Sequence, residues 1–226
     1  MSNAKSKIAL LLLVPAPSLG VLASMVIAPD TAIGKSVFIF SKIWVLLLPV
    51  IWLVFVRREK LSLSPPRNGG FVLSAAIGVV VSALIFALYL TIGKQLIEPE
   101  LVREMAGKVG LGEKQVYLAG AAYWILINSV LEEYLWRWFV LRESMAVMPR
   151  AAAIFASALF FSLHHIIALQ VYFNWFVVAV ATLGIFTGAL IWSWCYLKFK
   201  SIWPGCLSHA VVDLAVFSIG YMLIFG

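Results

Sequence analysis

In a chain whose hydrophobic residues make up 63% of the total, three short runs place ionisable side chains where lipid is expected. Glu132, Glu133 and Arg137 lie in LEEYLWRWFV, His164 and His165 in LFFSLHHII, and His209 and Asp213 in WPGCLSHAVVDLAVF. All three histidines of the chain fall in these runs. A charge in mid-bilayer costs at least about 2.5–3.5 kcal/mol on insertion scales, so each needs a partner or a task. Carboxylates and imidazoles together can take a proton from water, hold that water, and stabilise the oxyanion its attack creates. The same nitrogen and oxygen donors can bind an ion such as Zn²⁺.

Helical spacing divides the work. Glu133 and Arg137 stand i,i+4 on one face and are expected to pair. Glu132 points about 100° away and is freer to meet another helix. His209 and Asp213, again i,i+4, put an imidazole beside a carboxylate. His164 and His165 diverge by about 100°, so one of them is expected to face a cavity. Each feature has a structural alternative: an ion pair that fixes packing, an interhelical hydrogen bond, a histidine held by its carboxylate. Lys42 lies near one end of its span and is expected to snorkel, with no role. Gly184 and Gly188 form a GxxxG, expected to be a close helix contact.

These residues must be positioned by membrane spans. Charged residues amount to 12%, against about 25% in soluble domains. Apolar windows of about 20 residues predict an all-α, polytopic transmembrane bundle of about seven spans. They run over Lys7–Ala28, Val37–Val56, Phe71–Ile92, Val116–Val140, Ala151–Leu169, Phe173–Tyr196 and Pro204–Phe225. Pro15, Pro17 and Gly20 interrupt the first, which leaves room for an eighth, re-entrant or cleaved element. Residues 1–115 carry no signature and end in a long loop over 93–115; residues 116–226 hold all the motifs.

Depth brings the motifs together. Glu132 lies about 15 Å along the helix from Arg142, and His165 about 22 Å from Arg150. His209 and Asp213 lie about 14 and about 20 Å from Lys200. In a hydrocarbon core of about 30 Å all reach the middle third, as one shared polar cavity requires. The loops 57–67, 142–150 and 198–200 are basic and alternate with the spans, which puts them and the N-terminus on the cytoplasmic side. The net charge of +7 is spread over such loops, with no cluster longer than Arg57, Arg58 and Lys60, so no nucleic-acid partner is expected. Cys195 and Cys206 form no disulfide framework and are expected to be free thiols.

The motifs resemble those of a known family. EEYLWR reads as EExxxR, Phe161 to His165 as FxxxH, and His209 to Asp213 as HxxxN/D. In this order on successive spans they are similar to the CPBP family, the CAAX protease and bacteriocin-processing proteins, which includes the type II CAAX prenyl endopeptidases. The resemblance covers Val116 to Phe225. It implies a hydrolase in which Glu132 activates water, His165 helps to hold it, and His209 with Asp213 stabilises the oxyanion. Glu133 and Arg137 would be supporting residues. Phe160 to His164 also satisfies FxxxH, so His164 competes with His165 for its role.

Where the family pattern allows Asn, Asp213 brings an acceptor when ionised. It would be protonated in the cavity, or orient His209 from behind, or join Glu132, His165 and His209 as metal ligands. Family members are described in both metal-dependent and metal-independent terms. No HExxH occurs, so the usual zincin helix is absent, and the lack of GxSxG and GxGD argues against the serine and aspartyl intramembrane types.

The expected activity is therefore intramembrane endoproteolysis of a membrane-associated peptide, a lipidated protein of CAAX type, or a leader peptide. The site would open toward lipid or the cytoplasm. Similarity to compact prokaryotic members implies a bacterial plasma membrane. Two other classes remain open: a non-catalytic membrane scaffold or bacteriocin-immunity protein, and a small proton-coupled transporter, since carboxylates and histidines also build proton relays.

Overall fold

The computed structural model describes residues 3–226, and every regular element among them is helical. In chain order these are α1 (Asn3–Ile27), α2 (Ala32–Arg57), α3 (Phe71–Leu96) and the short α4 (Pro99–Lys108). There follow the helical run α5 (114–145), then α6 (Arg150–Leu169), α7 (Trp175–Phe199) and α8 (Trp203–Phe225). All but α4 and α5 are long and apolar enough to cross a membrane. Only 11% to 33% of each such helix's apolar window is buried inside the protein. Leu11, Ile33, Phe55, Val72 and Leu183 stand exposed, a surface at home only against hydrocarbon. The all-α polytopic bundle expected from composition is what the chain forms.

Local chemistry explains the helix ends. The Thr31 hydroxyl accepts from Gly34 N, and the Asn174 carboxamide accepts from Phe176 N and Val177 N, so α2 and α7 both start on a side-chain cap. Each ends on a left-handed residue, Arg58 and Lys200. Pro15 and Pro17 do not split α1 into two elements. The chain passes through a single turn at Val14, where Trp44 Nε1 donates to the Leu12 carbonyl at 2.8 Å. A neighbouring helix thus adds a donor next to the Leu11 and Leu13 carbonyls, which Pro15 and Pro17 leave without helical partners.

The polar loops gather at one end. Lys5 donates to Val56 O at 3.2 Å, Arg57 reaches both Ser6 and Glu143, and Arg142 pairs with Glu59 at 3.0 Å. Ser201 donates to Ser64 O at 2.7 Å. Asn174 donates to Leu96 O at 2.9 Å at the other end. The 93–115 connection, expected as a loop, contains α4, whose Val102 packs on Ile219 and Leu223 of α8.

Small residues bring α3 and α8 close together. In α3, Ser74 and Gly78 are buried, and Ser82 donates to Val211 O at 3.0 Å. A Cβ at Gly78 would lie 3.0 Å from Ser208 O and from Val211 Cβ, so α3 and α8 meet nearly backbone to backbone. The GxxxG of α7 makes no such contact. Nothing lies within 4 Å of a Cβ at Gly184, and Gly188 faces the ring of Trp192 on its own helix. Gly184 is exposed, while Gly188 is buried beneath that ring.

Candidate active site

An irregular helix sets the glutamates. Within α5, Ser129–Glu133 is α-helical between π-helical turns at Trp124–Asn128 and Tyr134–Leu141. A π turn holds extra residue per turn and re-aims the side chains beyond it, and such turns recur at functional sites. Here Glu132 and Glu133 both point into the bundle, 8% and 0% exposed.

Glu133 makes the expected pair with Arg137, Oε2 to Nε at 3.3 Å. The guanidinium, buried, lies over the rings of Phe161 (4.7 Å) and Trp192 (5.2 Å). Its flat, weakly hydrated cation suits that aromatic slot better than an ammonium would. The second oxygen of Glu133 is 3.1 Å from Nδ1 of His209. His209 lies flat on Trp192, ring centroids 3.9 Å apart. Trp192 is itself fixed by donating to Ser208 Oγ at 3.2 Å. With Nδ1 turned to Glu133, Nε2 of His209 faces Glu132 Oε2 at 3.6 Å and Asp213 Oδ1 at 3.7 Å. The other oxygen of Glu132 is 3.6 Å from Nε2 of His164. These separations are longer than direct hydrogen bonds and of the size a water bridges.

All seven residues singled out in the sequence therefore meet in one cluster, with three differences from expectation. First, His164 is the histidine that approaches Glu132 and stacks parallel on Trp136, centroids 5.9 Å apart. His165 does not turn away, because its ring lies 4.1 Å from that of His164. Both rings consequently border Glu132, where one was expected. Second, the residue behind His209 is Glu133, while Asp213 shares the cavity-facing nitrogen with Glu132. Third, Lys42 does not snorkel. It lies about 15 Å from the start of α2, too deep to reach the interface, and donates to Asn128 Oδ1 at 2.9 Å.

A narrow cavity beside Glu132 is lined by Phe38, Ser41, Lys42, Asn128, His164 and neighbouring apolar side chains. Helices α1 and α2 thus form one wall of the site, although their sequence carries no motif. Lys42 had its signal, a cation inside an apolar run, and Asn128 had one too, four residues before Glu132. Trp136 and Trp192 had none, since tryptophans abound in membrane spans.

The donor set also bears on metal. Among the described residues, Glu132, His164 and His165 each offer a ligand atom within 4.8 Å of the other two. Two imidazoles with a carboxylate match the three-ligand pattern of catalytic zinc. This trio differs from the set of Glu132, His165, His209 and Asp213 expected from the motifs. The two cysteines are free and buried, away from that trio, as the sequence implied.

Comparison with known proteins agrees with the motifs. No curated protein and no solved structure matches the chain. Residues 114–215 match the model of one protein family, covering α5, α6, α7 and α8 as far as Ala215. Every motif residue from Glu132 to Asp213 lies inside that segment, over which the chain is similar to the family described as type II CAAX prenyl endopeptidase Rce1-like.

Proposed function

We propose that the protein is an intramembrane endopeptidase acting on a membrane-associated peptide, with Glu132 as the water-activating base. The observation that carries this reading is the position of Glu132, 3.6 Å from an imidazole nitrogen on either side. A water bridging Glu132 and His164 loses a proton to the carboxylate and attacks the peptide carbonyl. The developing oxyanion is met by Nε2–H of a protonated His209, whose other nitrogen is anchored on Glu133 and whose ring is clamped by Trp192. Asp213 Oδ1, 3.7 Å from the same nitrogen, helps to orient that ring. Collapse of the tetrahedral adduct breaks the C–N bond, and the proton held by Glu132 passes to the leaving amine.

A metal-assisted form of the same hydrolysis is favoured by the trio of Glu132, His164 and His165. A divalent ion bound there would polarise the water that Glu132 otherwise activates alone.

The test compares protein termini in membranes containing wild type or Glu132→Gln at matched expression. New termini found only with the wild type are expected, and they would identify the substrate. Identical termini, with the wild-type phenotype retained by Glu132→Gln, would instead support a scaffold. Repeating the comparison with a chelator, and measuring metal in the purified protein, separates the two forms of the chemistry.

A further inference from the structure

The half-buried cation beside Glu132 has no carboxylate in direct contact. Arg137 is paired with Glu133, and the buried Arg57 with Glu143, as charges withdrawn from water require. Lys42 is different. Among the described residues no carboxylate lies within 4.0 Å of its Nζ, and its hydrogen-bond partner is the neutral carboxamide of Asn128. Asn128 is itself buried on α5, four residues before Glu132. It therefore ties the ammonium to the helix that carries the base, and both line the same cavity. The remaining walls there are largely apolar: Val21, Phe38, Val45, Leu46 and Leu131. An ammonium held in a largely apolar cleft with donors to spare is built to meet an anion that arrives from outside.

Resting on the proteolytic reading, we propose that Lys42 receives the C-terminal carboxylate of the substrate. A CAAX-type chain is a suitable ligand, because its lipid anchor sits close to its carboxyl end and would bring that charge into the membrane. Lys42 would then set where the substrate stops in the cleft, and so which peptide bond lies over Glu132. Specificity for a free carboxyl end would come from α2, outside the segment that matches the family.

The experiment uses full-length protein in lipid nanodiscs, in a Glu132→Gln background so that bound peptide is not consumed. Binding of a dye-labelled farnesylated CAAX peptide with a free C-terminal carboxylate is compared with binding of its C-terminal amide. The acid should bind about tenfold more tightly than the amide, the scale of one charge-assisted hydrogen bond. Lys42→Met should collapse that ratio to about one by weakening the acid alone, and Lys42→Arg should retain most of it. Asn128→Asp, which gives Lys42 an internal counter-ion, should also collapse it and does not depend on the folding of Lys42→Met. A ratio near one before any change at Lys42, or one that survives Lys42→Met, overturns the proposal. So does an equal loss for both peptides, which would make Lys42 structural. A ratio that behaves as expected while wild-type protein cleaves neither peptide would leave the carboxylate site standing and remove the proteolytic reading instead.

Discussion

A methyl group added at Gly205 would arrive 2.9 Å from Oε2 of Glu133, the oxygen that faces Arg137. Glu133 cannot simply retreat, since its other oxygen holds His209 and both partners are stacked on Trp192. Gly205→Ala should therefore displace Glu133 and turn His209 away from Glu132. Misplacement on the scale of 1 Å can cost about a hundredfold in rate, and we expect a loss of that order while the protein still inserts and folds. Initial cleavage rates of Gly205→Ala and wild type on the substrate found by terminus comparison would check this, and equal rates would refute the positioning role of Glu133. The seven ionisable residues of the site were legible in the sequence because charge inside an apolar run stands out against its surroundings. Gly205 was not, since its importance lies in a neighbour on another helix. That both His164 and His165 border Glu132 turned on ring orientations that the FxxxH spacing leaves open.

Among the helices, two motifs of small residues met opposite fates. The Gly78 and Ser82 face of α3 packs on α8 at the level of His209, whereas a side chain at Gly184 of α7 would meet open space. A larger side chain at Gly78 must push against Ser208 and Val211, the immediate flanks of the site histidine. Gly78→Leu is thus expected to destabilise the protein by about 1–3 kcal/mol through overpacking. Gly184→Leu, directed into open space, should leave stability within about 0.5 kcal/mol. Thermal unfolding of the two variants in one detergent would check the contrast, and equal midpoints would overturn the assignment of the α3–α8 contact. Span positions were readable because length and hydropathy depend on the segment alone. The π turns around Glu132 were not, because a widened turn leaves no periodic mark in an evenly apolar sequence. Nor was α4, which is too short and polar to register as a span and takes its place by packing Val102 on α8.

At the scale of the molecule, the ends of the bundle are chemically unlike. One end is tied by ion pairs and hydrogen bonds among residues 5–6, 56–68, 142–143 and 198–201, including the fully buried carboxylate of Glu143 facing Arg57. The other holds α4 and the 170–174 turn, joined by Asn174 to Leu96. These contacts place the loops they join at two opposite ends of the bundle. Basic loops placed on one end are what the charge rule would favour, and α4 with its paired Glu100–Arg103 and Glu104–Lys108 contributes little net charge to the other. Single cysteines at Ser62, Arg58 or Lys200 should then react with a membrane-impermeant maleimide from the same side of sealed vesicles. A cysteine at Glu104 or Glu113 should react only from the opposite side. The native Cys195 and Cys206 are buried and would be replaced by Ser and Ala to give a silent background. Labelling of Ser62→Cys and Glu104→Cys from one side would mean that α3 does not cross the bilayer. That result would also separate α3 from α8 in depth, and with it the agreement in level between His209 and Glu132 on which the site depends.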